Sequence, residues 1–448
     1  MKITGYAQAV RFLESFIDYE RGANPDYFRS WKLSRVRRLL TVLKIDLKKL
    51  RVIHVAGTKG KGSTATFIAS ILAGCGFKTG LYTSPHLDDF RERITILKPK
   101  VSSFSSSSIS RPQVTRLVSA IAPLISRLNR RLGREGLSFF EVYTAIAFKY
   151  FLDQKADLVV LECGLGGRLD ATNTVRPLVS VITHIGYDHT KELGETLAKI
   201  AFEKAGIIKK RIPVVSARQS SPGLKVLRQK SRDCKSSLYV YDKDFSSRGV
   251  RIGPKLTRFD LSTAHDTYKD LTIGLKGIHQ VENASLAVAS CELLKDLYPL
   301  SRSGIYQGLR QAVLPARFEV VKNKKLTFLF DIAHNPSSIE ALDRAIKTYF
   351  PGRAVVVVFG SSGDKDIAAM LARIDLDRLI LTRADHPRAA SPGRIKMISP
   401  IKDALIEPDI EHALAKARTL GLKTKALIVV TGSLFLVAEA KRLLRDEG

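Results

Sequence analysis

The chain has 448 residues, enough for two or three domains of about 100–200 residues each. Apolar residues make up 45% and charged residues 26%, which excludes general disorder and supplies sizeable cores. Lys and Arg outnumber Asp and Glu by 73 to 43, and the net charge of +30 suits nucleic acid, a membrane surface or anionic small molecules, or simply keeps the chain in solution. No apolar run reaches the length of about 18 residues that a spanning helix needs, so no membrane partner is expected. Residues Met1 to Glu20 lack the unbroken apolar stretch of a signal peptide, and a cytoplasmic chain is expected. Cys75, Cys163, Cys234 and Cys291 stand far apart, without a zinc-type pair, and read as thiols of a reducing compartment.

Apolar spacing predicts basic helices over Tyr6–Glu20 and Leu33–Leu43. A strand over Arg51–Val55, a glycine-rich turn, a helix over Ser63–Gly74 and a strand over Lys78–Tyr82 form one crossover unit of a parallel sheet. The Ser-rich stretch Lys98–Pro112 reads as a mobile loop. Helices follow over Val114–Leu132 and Phe140–Asp153, then buried strands over Leu158–Glu162 and Leu178–Ile182. Residues 220–275 carry little pattern beyond weak strands at Ser237–Tyr241 and Lys255–Leu261. A helix is expected over Gln280–Leu297 and a domain boundary near Leu314-Pro315. Beyond it the alternation restarts: strand Thr327–Phe330, helix Ser338–Tyr349, strand Ala354–Phe359, helix Ile367–Ile374, strand Arg378–Thr382, strand Ala426–Val430 and helix Leu434–Arg445. The fold class is therefore α/β: a P-loop parallel-sheet ATPase domain followed by a smaller Rossmann-like α/β domain.

The strongest chemical signal is the turn Gly57-Thr58-Lys59-Gly60-Lys61-Gly62-Ser63-Thr64 between a strand and a helix. Glycines let backbone N–H groups wrap a phosphate, and the helix N-terminus adds about half a positive charge. Lys61 is placed to reach β and γ phosphates, and Ser63 or Thr64 to hold Mg²⁺. Glu162 ends an apolar strand, where open α/β sheets bind ligands, and a carboxylate there calls for a metal or an ion pair; Arg168 is the alternative partner. Asp188 and His189 follow the next strand and read as a metal ligand with its orienting carboxylate. Lys204 lies in an apolar helical stretch; from residues alone, a solvated helix-face lysine is the stronger reading. In the second domain Asp331 and His334 end a strand, Arg317 stands at the joint, and Lys365 lies in another strand-end loop. Helix capping for Asp331 and His334, and a surface salt bridge for Arg317, are the plain alternatives.

Ten blocks carry a resemblance: HVAGTKGKGST, LYTSPHL with RERI, SFFEVYTAIAF, ECGLGGRLDATN, THIGYDHT, EKAGIIK, KGIHQVENASLA, PARFE, FDIAHNP and VTGSLFL. In this order they resemble the folylpolyglutamate synthase / dihydrofolate synthase family of the Mur ligase superfamily, over nearly the whole chain. The resemblance implies a Mur-type ATP-binding domain over residues 1–314 and a glutamate-ligase domain over 315–448. It implies ATP-dependent addition of L-glutamate to a dihydropteroate or reduced folate carboxylate through an acyl phosphate, by a monomer with no specific nucleic acid partner. It assigns ATP to the loop 57–64 with Asn283, Arg317 and Asp331, and two Mg²⁺ ions to Ser63, Ser84, Glu162, His189 and Lys204. Lys204 falls where the family carries a carbamylated lysine, which reverses the plain reading of that residue. The resemblance also gives Ser84, Pro85, His86, Asp170 and Thr172 to the substrate side, and catalytic roles to Lys61, Lys204, His189, Asp331 and His334. Many family members have Asn where this chain has Lys59. The rival class is a nucleic-acid-binding NTPase, suggested by charge alone and lacking a basic face interleaved with aromatics.

Overall fold

The computed structural model describes residues 3–16, 32–133 and 136–446. Its first half is built on an eight-stranded sheet. Five of its strands are β1 (Val52–Ala56), β2 (Thr79–Tyr82), β3 (Ile94–Lys100), β4 (Ser103–Ser108) and β5 (Leu158–Glu162). The others are β6 (Val179–Ile182), β7 (Val214–Ser216) and β8 (Leu238–Val240). Their spatial order is β4-β3-β2-β5-β1-β6-β7-β8, with β3 alone running antiparallel to its neighbours β2 and β4. Apolar residues alternate between the two faces of the central strands. Val52, Val159 and Leu161 join a core with helices α1 (Tyr6–Glu14), α2 (Leu33–Val42), α4 (Arg111–Leu132) and α5 (Phe139–Asp153). Ile53, Val55 and Val160 join the opposite core, under α3 (Lys61–Gly74), α9 (His279–Glu292) and α10 (Arg302–Gln311). Helices α6 (Thr190–Leu193), α7 (Leu197–Ala205) and α8 (Ser221–Asp233) flank the far edge. Helix α3 is apolar all round because it is covered on every side, and it meets α10 through glycines: a Cβ on Gly308 would lie 2.4 Å from Ile71 Cα.

Antiparallel strands β9 (Ser246–Ile252), β10 (Thr257–Ser262) and β11 (Thr267–Ile273) form a separate three-stranded sheet on the α3 side. The last sheet contains β12 (Glu319–Asn323), β13 (Leu326–Phe330), β14 (Val355–Phe359), β15 (Arg378–Leu381), β16 (Leu405–Ile406) and β17 (Leu427–Thr431). Its order is β12-β13-β17-β14-β15-β16, so the final strand inserts between β13 and β14. That insertion makes a switch point where Phe330, Thr431 and Phe359 end side by side, the crevice in which such sheets take ligands.

Three expectations change. The Ser-rich stretch is not a loop: β3 and β4 pair as a hairpin, with Ile96 opposite Ser107 and the turn at Val101–Ser102. Serine on both faces of β4 hides the two-residue period, and the strand is held by backbone pairing and by Phe104 against the core. Residues 246–273 hold three strands where one was expected, because register shifts beside Asp260 break the alternation. The first helix ends at Glu14, and residues 17–20 of the expected span lie outside the described residues. Among the described residues no helix is long and apolar enough to cross a membrane.

Candidate active site

The turn after β1 is held from below by the end of β6. The N–H groups of Thr58 and Lys59 donate to His184 O at 2.9 and 3.2 Å, and Thr58 Oγ1 donates to Gly186 O at 3.1 Å. Gly57 tolerates no side chain, since a Cβ would fall 1.8 Å from Thr183 Oγ1; Gly60, at φ 86°, lies against Asn283. Helix α3 begins at Lys61, so its free N–H groups and positive end face the turn. Ser63 and Thr64 are buried there, and Thr64 Oγ1 donates to Asn283 Oδ1 at 3.4 Å.

Glu162 ends β5 beside this turn, 3% exposed. Its Oε2 accepts from Ser84 N at 3.1 Å, and its Oε1 lies 4.0 Å from Lys61 Nζ. Burial raises its carboxyl above the ordinary range, more than Lys61 and the Ser84 N–H pull it down. The alternative Glu162–Arg168 pair does not form, because Arg168 forks onto Glu203 instead, at 2.9 and 3.1 Å. Lys204 is not a solvated helix-face residue: α7 turns it inward, and its Nζ donates to Gly57 O at 2.8 Å. Burial and the nearby Lys61 lower its amine to about 7, far below the ordinary lysine value, which favours the neutral form.

His189 caps α6 in the left-handed region at φ 49° and is half exposed. Its ring nitrogens lie 3.9 Å from Asp188 Oδ1 and from Glu192 Oε2. Burial opposes ionisation of Asp188, but His189, His334 and Lys365 outweigh it and hold that carboxyl low. Across the cleft, Asp331 takes N–H bonds from Phe318 at 2.8 Å and Ala333 at 2.9 Å. His334 Nδ1 meets Ile332 O at 2.8 Å; a carbonyl only accepts, so that nitrogen carries the proton and Nε2 holds the lone pair. Arg317 acts electrostatically on Asp331, His334 and Glu162. Lys59 spans the cleft, with Nζ donating to Asn335 Oδ1 at 3.3 Å and to Ser337 Oγ at the start of α11 (Pro336–Tyr349).

Two of the expected substrate residues turn inward in the loop after β5. Asp170 and Thr172 are buried, and Asp170 spends its oxygens on Leu165 N at 3.0 Å, Thr172 N at 2.9 Å and Thr172 Oγ1. They hold the loop together. Ser84, Pro85 and His86 lie in the turn beyond β2, where His86 Nδ1 accepts from Arg93 Nε at 2.8 Å. Sequence reasoning missed His54 and His279. Burial drives His54 down to about 3 and His279 down to about 4. A polar ring inside the otherwise apolar run Val52–Ala56 was the available signal.

The donor set bears on Mg²⁺. Among the described residues no three of His, Cys, Asp and Glu cluster as a metal site. One buried carboxylate, Glu162, bonded to Ser84 N and beside Gly62 at the start of α3, is the sparse oxygen donor that suits a cation completed by phosphates and water. Glu162, short of counter-charge, fits that group. Lys204 as an amine is a donor to Gly57 O, so in this form it holds no metal.

Residues 131–291 match the Mur ligase middle domain, and residues 316–434 match the Mur ligase glutamate ligase domain. The sheet order, the phosphate loop and the facing second wall thus define a Mur-type ligase. The chain is 33% identical over 421 residues to dihydrofolate synthase/folylpolyglutamate synthase of Bacillus subtilis, covering 92% of this chain and 95% of that one. It is 32% identical to folylpolyglutamate synthase of Lacticaseibacillus casei, covering 98% of both. The crystal structure of Mycobacterium tuberculosis folylpolyglutamate synthase complexed with ADP and AMPPCP superposes with a TM-score of 0.88 at 29% identity, covering 99% of both chains. The chain belongs to the folylpolyglutamate synthase / dihydrofolate synthase family.

Proposed function

We propose that the chain uses ATP to join L-glutamate to the carboxylate of a folate or a dihydropteroate through an acyl phosphate, accepting both acceptors. It is an ATP-dependent acid–amino-acid ligase by family. The observation that carries the reading is the pairing of walls. A phosphate loop with Lys61 beside buried Glu162 faces Asp331 and His334, and Lys59 bridges the gap. A solved relative titled as an FPGS–AMPPCP–folate complex supports nucleotide and folate as ligands.

In this reading the loop 57–64, Asn283 and Arg317 hold ATP, and Lys61 draws charge from the transferring phosphoryl group. Ser63, Ser84 and Glu162 would hold a Mg²⁺ ion and His189 a second; the metal would offset repulsion between triphosphate and carboxylate. Neutral Lys204 is chemically able to add carbon dioxide, and the carbamate would give the site a further anion. The Nε2 lone pair of His334, steadied by the Asp331 wall, would take a proton from the glutamate amine as the amide forms. Closing the walls would keep water from the acyl phosphate. We divide the chain at Leu314-Pro315 into the two ligase domains, and we place it as a monomer in the cytoplasm, which its four unpaired thiols suit. We assign the charge of +30 to anionic small-molecule substrates rather than to nucleic acid. An ADP-release assay with glutamate tests the reading: release should require 7,8-dihydropteroate or a reduced folate. Release indifferent to every pterin acid would overturn it.

A further inference from the structure

His54 sits in the middle of the first sheet, fully buried, where strands of this kind hold aliphatic residues. Its Nε2 lies 2.8 Å from Thr172 Oγ1 and 3.1 Å from Cys163 Sγ. Thr172 Oγ1 has a single proton, and of its two acceptors, Asp170 Oδ1 and Cys163 Sγ at 3.6 Å, the much nearer carboxylate oxygen takes it. The hydroxyl must therefore accept from the ring, so His54 carries its hydrogen on Nε2. Nδ1 is then a bare acceptor, and it has no partner among the described residues. A buried imidazole with one nitrogen unsatisfied costs stability, so its retention calls for a return elsewhere.

The return is geometric. Asp170 closes the loop on Leu165 N at 3.0 Å, one strand-end away from Glu162. The same loop is pressed onto α7. A Cβ on Gly167 would lie 2.9 Å from Glu203 O and 3.0 Å from Lys204 O, and Arg168 N donates to Glu203 O at 2.7 Å. Lys204 then returns to Gly57 O at 2.8 Å, three residues beyond His54 on the same segment. Cys163, bonded to Val55 O through its N–H at 2.9 Å, follows Glu162 directly. A closed circuit thus runs from β1 through Thr172, Asp170, the glycine loop and α7, back to the phosphate loop.

We propose that His54 is a positioning residue. Its Nε2–H sets the loop 163–173, and through that loop fixes Glu162 and Lys204 against the phosphate loop. The role rests on the ligase reading above. It touches neither substrate nor metal, and it acts on the alignment of the phosphoryl transfer rather than on nucleotide affinity.

Three variants and one spectrum test it. In His54→Gln the amide nitrogen reaches the position of Nε2, while His54→Leu keeps volume and removes the donor. His54→Leu should lose kcat about 10–100-fold, as displacement by an ångström does, with nucleotide Kd moved no more than about threefold. His54→Gln should recover most of that loss. Thr172→Val should match His54→Leu, and the double variant should lose no more than either single one. Equal kcat in the Gln and Leu variants, per folded molecule, would overturn the proposal. Nitrogen-15 spectra of the wild-type chain should show His54 as the Nε2–H tautomer; the Nδ1–H form would overturn the proposal even if His54→Leu fails to fold. The tautomer and nucleotide Kd are read without any pterin. A wild-type chain inert toward pterin acids would sink the ligase reading and leave the hydrogen-bond chain to be judged by the spectrum.

Discussion

The two walls of the cleft differ in how their buried ionisable groups are hydrogen-bonded. On the first, Glu162 is buried with the Lys61 ammonium 4.0 Å away, and Lys204 is buried with its Nζ donating to a backbone carbonyl. Burial pushes both toward their neutral forms, as it does Asp331 and His334 on the second wall, so hydrogen bonding makes the difference. On the second wall Asp331 spends both oxygens on N–H groups at 2.8 and 2.9 Å, and His334 is tied to Ile332 O. The first wall holds groups whose charges await a ligand, whereas the second is already satisfied and presents a fixed shape. Misfit of the first kind is the usual mark of a site that chemistry completes.

That contrast breaks first at Lys61. Lys61→Ala should cost turnover about 100–1000-fold, the range for removing one preorganised donor, measured as glutamate-dependent ADP release. Near-normal turnover would mean the first wall does not hold the phosphates. Lys204→Ala should lose most activity as well, and bicarbonate should not restore it; recovery with bicarbonate alone would remove Lys204 from the chemistry.

Glu162→Gln sharpens the contrast through stability. The Glu162 carboxyl is raised above its unfolded value of about 4.3, so the folded chain holds that proton more tightly. Stability from this group is present below that unfolded value and is lost as pH climbs through the raised folded value. The Gln variant should therefore melt above the wild type at pH 7 in metal-free buffer, with the gap closing toward pH 4. A variant that melts lower at pH 7 would show that Glu162 already has its counter-charge. The smallest effect belongs to Lys59→Asn, which removes bonds from a half-buried lysine to two neutral partners on the second wall. At about 0.5–1.5 kcal/mol for such a bond, the KM for ATP or glutamate should rise by about 2–10-fold.

Much of this was legible in the chain because strand ends announce themselves. Apolar runs stopping at Glu162 and at Ile182 located two cleft positions, and glycines marked the phosphate loop. The orientation of Lys204 was not legible, since α7 exposes Phe202 and buries Lys204 against the ordinary preference of each. The mutual bonds of Asp170 and Thr172 were hidden for a related reason: polar residues in a glycine-rich loop look like ligands, and only the fold shows that they bind each other. The Ser-rich hairpin failed at the level of pattern, because a serine strand has no apolar face to read.

The central claim is that the acceptor carboxylate is phosphorylated between these walls before glutamate attacks. Turnover of a pterin acid carrying isotopically heavy carboxylate oxygen tests it most directly. The account predicts that one heavy oxygen leaves with each inorganic phosphate formed. Amide formation with unlabelled phosphate would contradict it.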